Sequence, residues 1–98
     1  MTTLDGYWDV RRTGGLLPPM IGVHKWIEGD RGETRVGPLP GVPFRVRGLS
    51  LQYVWPFHGF VDVLEPAGEG FTGRALFLGR ELGTFELRRA AGGRAAAE

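Results

Sequence analysis

Cysteine is absent from this 98-residue chain. That excludes disulfides and thiolate metal sites, so packing or oligomerisation must supplement the modest core of so small a domain. Serine is nearly absent as well: Ser50 stands alone, without a G-x-S-x-G elbow, and nucleophilic catalysis has no footing. No apolar run approaches the roughly 20 residues that cross a bilayer. The opening MTTLDGYWDV has no basic stretch ahead of an apolar one, so the expectation is a cytoplasmic chain with no signal peptide and no membrane partner. Neither sign of charge dominates, with twelve basic and eleven acidic residues giving a net +1. Arg88, Arg89 and Arg94 make the C-terminal end locally basic, but the balance gives no footprint for nucleic acid. GDRG and GEG are turns, not phosphate loops or dinucleotide fingerprints, and no cofactor is expected. Lys25 is the only lysine, and the arginine, glycine and alanine bias fits a GC-rich bacterial coding sequence.

What the chain does have is punctuation. Seventeen glycines and seven prolines divide it into segments of about five to nine residues, the length of strands rather than helices. Alternation predicts strands over Gly6–Arg12, Met20–Glu28, Glu33–Val36, Val42–Arg47, Leu49–Trp55, Phe60–Glu65, Phe71–Leu78 and Thr84–Arg89. TGGLLPP (13–19), PLPG (38–41), Pro56–Gly59 and Pro66–Gly70 read as loops, and GRELG (79–83) as a tight connection or one helical turn. The short polar third segment suits a sheet edge. The fold class that follows is all-β, a small antiparallel up-and-down barrel of about eight strands, with another small β-barrel or sandwich as the alternative. The barrel spans 1–89, and 90–98 reads as a frayed tail.

Gly6-Tyr7-Trp8 resembles the glycine-x-tryptophan signature that opens the first strand of calycin barrels, the lipocalins and fatty-acid-binding proteins. The resemblance implies that Trp8 plugs the closed end of the barrel beneath an arginine of the last strand. In GTFELRR that arginine is Arg88 or Arg89, and strand phase favours Arg89, which shares a face with Phe85 and Leu87. Such a cation over an indole is worth about 0.5–2 kcal/mol. The resemblance covers the chain ends only, and the central lipocalin motif is missing.

The densest aromatic stretch is LSLQYVWPFHGFVDVL, Leu49 to Leu64. His58 sits in the Pro-Phe-His-Gly break, where a histidine can serve as acid, base or ligand, or simply as a solvated turn residue. Asp62 lies between Val61 and Val63, and a carboxylate facing an apolar interior must find a partner: Arg74, Lys25 or backbone donors. The predicted ligand-binding set is Trp26, Tyr53, Trp55, Phe57, His58 and Asp62: aromatic walls with two polar groups to orient a guest. His24, His58 and Asp62 lack any metal-ligand spacing, and no metal is expected.

These residues point first to a non-catalytic barrel that binds an apolar or aromatic small molecule and pairs as a homodimer through outward apolar rows such as those of FVDVLE and ALFLG. The catalytic alternative is a cofactor-free isomerase or cyclase with Asp62 and His58 as acid and base, and Tyr53 as oxyanion donor. A third possibility is an interaction module with a filled core.

Overall fold

The computed structural model describes residues 4–90. These residues form eight strands and no helix: β1 (Gly6–Gly15), β2 (Val23–Glu28), β3 (Arg31–Val36), β4 (Val42–Arg47), β5 (Ser50–Tyr53), β6 (Phe60–Ala67), β7 (Gly70–Phe77) and β8 (Arg80–Arg89). Each pairs antiparallel with the next, and β8 returns to β1, giving a closed up-and-down barrel. Closure removes every sheet edge, so β3 is no edge strand; it is paired on both sides, by β2 and β4.

Period-two alternation sends one row of each strand inward. Trp8, Ile27, Leu51, Leu64, Phe71 and Leu87, all at most 2 % exposed, fill the half that holds the start of β1 and the end of β8. Trp8 meets Phe71 edge-on at 5.4 Å, its indole N–H donates to the Leu4 carbonyl at 2.8 Å, and the Arg89 guanidinium lies 4.3 Å from its ring centroid. Arg89 also donates to the Asp5 carbonyl at 3.0 Å. Gly6 makes the room: its φ is +131°, and a Cβ there would stand 2.7 Å from Arg89 Nη1.

Several expected boundaries move. Thr13 is a bulge in β1, and the strand runs on to pair Gly14 and Gly15 with Thr84 and Gly83, so the first three residues of the predicted 13–19 loop belong to the strand. Pro66 and Ala67 pair with Phe71 and Gly70, leaving only Gly68-Glu69 as the turn. Leu78 and Gly79 both have positive φ, 51° and 84°. Two such residues suffice for a tight hairpin, so Arg80–Gly83 is strand and not a helical turn. Conversely, β5 stops at Tyr53, and Met20–Gly22 lie outside β2. Of the expected tail, residues 91–98 lie outside the described residues, while the Ala90 amide donates to the Tyr7 carbonyl at 3.2 Å.

Candidate functional site

In an up-and-down barrel alternate connections share an end. Residues 16–22, 37–41, 54–59 and 78–79 therefore rim one mouth, and the turns at 29–30, 48–49 and 68–69 lie opposite, with the Trp8 plug. Behind the mouth the packing is incomplete. A cavity of about 240 Å³ is lined by Val10, Val23, Val42, Phe60, Ala75 and Phe85, with Leu17, Met20, Phe57 and Leu82 toward the opening. Two larger hollows, about 710 and 510 Å³, are lined by β6–β8 residues around the Gly68 turn and by β1–β2 residues around Met20. Neither includes Lys25 or Asp62, the two buried charged residues among those described, which both line the smaller cavity.

Its polar wall is built from four strands. Lys25 is the one charged residue on the inward row of β2, between Val23 and Ile27. Asp62 is its counterpart on β6, and the two meet at 3.0 Å with 3 % and 5 % exposure. Lys25 Nζ also donates to Thr34 Oγ1 and to Tyr53 Oη, each at 2.7 Å. Thr34 Oγ1 and Tyr53 Oη are 2.6 Å apart, and Tyr53 donates to Asp62 Oδ2 at 3.2 Å. Among the described residues no buried side-chain polar atom is left without a partner. That is the condition under which an ion pair can sit in an apolar barrel at all.

The electrostatics follow from the packing. Burial works against the Lys25 charge, but Tyr53 and Asp62 outweigh it and raise the pKa above the ordinary 10.5. Burial, joined by the Asp62 charge, raises Tyr53 above 10.0 against the opposing pull of Lys25 and Thr34. Near neutrality Lys25 is therefore an ammonium and Tyr53 a neutral phenol. Both raised groups keep their protons longer in the folded chain than in the unfolded one. Their contribution to stability is complete below pH 10.0 and is lost as pH climbs through the raised values. Thermal denaturation across the alkaline range should show this fall, with a smaller fall in Tyr53→Phe; an equal fall in both would remove Tyr53 from the account.

Of the six expected ligand residues, the structure brings Tyr53, Phe57 and Asp62 to the cavity. Trp26 alternates with Lys25 and so lies on the outer face, across from Tyr7 and Glu33. Trp55 shares the phase of Tyr53 in sequence, but β5 has ended before it, and its side chain is 78 % exposed. His58 is exposed in the 54–59 loop, where its carbonyl accepts from Gln52 at 2.8 Å. The proposed Asp62–His58 acid/base pair is therefore not assembled. His24 contacts Asp9 at 3.1 Å, and among the described residues no three metal-ligating side chains converge. Of the partners expected for Asp62 the structure supplies Lys25, while Arg74 pairs with Glu81 at 3.7 Å; Thr34 is the member of the cluster that the sequence reading did not name.

Comparison with protein families, with curated proteins and with solved structures finds no match. No helix is long and apolar enough to cross a membrane among the described residues.

Proposed function

We propose that this chain is a calycin-like carrier that holds a small, largely apolar molecule in the mouth half of its barrel. The observation that carries this reading is an apolar cavity with one convergent, hydrogen-bonded polar cluster, the composition of small-molecule sites. Its size, about 240 Å³, equals roughly eight water molecules and falls below the roughly 300–1,000 Å³ of drug-sized pockets. A compact guest is implied. A core with this much space favours binding over the filled interaction module, and Asp62 without His58 favours binding over acid/base turnover. The compartment we propose, the cytoplasm, rests on the sequence reading.

Ala75→Leu tests the site. Ala75 is buried on β7 and lines the cavity, so a larger side chain fills space that a guest needs. A guest that co-purifies, detected by native mass spectrometry and organic extraction, should lose affinity by about tenfold or more while the thermal midpoint holds or rises. Undiminished binding would place the guest elsewhere.

We propose pairing of two copies through the mouth rather than through the barrel wall. The outward Val61, Val63 and Leu76 are already half-buried within one chain. The mouth loops, in contrast, contain no Asp, Glu, Lys or Arg, yet expose Leu16, Ile21, Leu39, Trp55 and Leu78, with Ile21 at 88 %. Such a patch is self-complementary in the way a two-fold contact requires. Sedimentation should find a dimer that Ile21→Lys with Trp55→Glu converts to monomer; a monomeric parent chain would reject the pairing.

A further inference from the structure

The bonding inventory of the polar cluster constrains the guest further. An ammonium has three protons to give, and Lys25 Nζ faces three acceptors: it donates to Thr34 Oγ1 and Tyr53 Oη and pairs with Asp62 Oδ2 at 3.0 Å. The phenol proton of Tyr53 goes to Asp62 Oδ2, and the Thr34 hydroxyl bonds to Tyr53 Oη. No donor is left over. Acceptor capacity does remain, because both bonds to Asp62 fall on Oδ2 and leave Oδ1, while Thr34 Oγ1 has a second lone pair. The formal charges of Lys25 and Asp62 also cancel at 3.0 Å.

We infer, resting on the reading of this cavity as a ligand site, that the guest is an uncharged molecule with a hydrogen-bond donor, a compact alcohol or phenol, which it gives to Asp62. A carboxylate finds no free proton on Lys25 and adds an uncompensated negative charge to an apolar chamber. An ammonium adds an uncompensated positive one. An ether or ketone of the same shape can enter but meets only acceptors, so it forfeits the bond to a charged oxygen.

The test is calorimetric titration at neutral pH with two matched sets. One is 2-naphthol, 2-methoxynaphthalene, 2-naphthoate and 2-naphthylmethylamine; the other is 1-octanol, 1-methoxyheptane, octanoate and octylamine. In whichever set binds, the alcohol should exceed the ether, the carboxylate and the amine by about ten- to a hundredfold. Asp62→Asn leaves the Lys25 charge unanswered, and the order should invert, with the carboxylate now ahead of the alcohol. Tyr53→Phe keeps both charges but frees a Lys25 proton, so the ether should gain while the carboxylate remains excluded. A carboxylate or amine that matches the alcohol in the parent protein overturns the inference and leaves the site standing. Failure of both whole sets to bind overturns the ligand reading itself. Where a variant does not fold, the order in the parent protein decides.

Discussion

Lys25→Met should destabilise the barrel by about 3–5 kcal/mol, because it leaves Asp62 charged, buried and without its counter-ion. A domain of this kind has about 5–15 kcal/mol in total, so the single variant should unfold at a far lower denaturant concentration or fail to accumulate. The size of the loss does not mean that the ion pair contributes that much. Two ions taken out of water regain in their mutual attraction only about what desolvation costs them, so removing both should be nearly neutral. Lys25→Met with Asp62→Leu should accordingly recover to within about 1–2 kcal/mol of the parent. Denaturant midpoints of the two single variants and the double variant measure the coupling directly. If Lys25→Met costs no more than removal of the exposed Arg31–Asp30 pair, 3.7 Å apart, the cluster is more hydrated than its burial implies. Recovery of stability together with loss of ligand preference in the double variant would show that the charges are retained for recognition.

The strand count and phase were legible because a half-buried strand writes its faces into alternate residues, and six of the eight segments are followed directly by glycine or proline. Alternation says which residues share a face, not which face is inside. On β2 the choice lay between Trp26 with His24 and Lys25 with Val23 and Ile27, and aromatic content favours the wrong row. The inward row is the one that carries the charge, since Asp62 on β6 requires a partner across the lumen. Asp62 and Tyr53 were found because each sits in phase with plainly apolar neighbours. Trp55 was lost to a strand end two residues earlier, at the last rung with β4, where Tyr53 stands opposite Phe44. The Leu78-Gly79 turn hid for a similar reason: its first residue is a leucine in the left-handed region, which sequence alone gives no cause to expect.

Trp8→Ala should remove about 3–5 kcal/mol, comparable with the loss of Lys25 but by a different route. Trp8 has no exposed surface and ranks among the largest fully buried side chains. Truncation opens a cavity in the packed half of the barrel, where Ile27, Phe71 and Leu87 are held by strands paired on both sides and cannot collapse inward. It also strands the Leu4 carbonyl and takes away the ring beneath Arg89. Arg89→Met separates these contributions, since it keeps an apolar cover over the indole and should cost only about 0.5–2 kcal/mol. Trp55→Ala is the control: an exposed indole on a mouth loop should leave the unfolding midpoint of the single chain within about 0.5 kcal/mol of the parent. Urea denaturation of the three variants orders them. A Trp8→Ala loss as small as that of Trp55→Ala would mean that the plugged end does not carry the fold, and that the open mouth and the closed end share the stability of the barrel evenly.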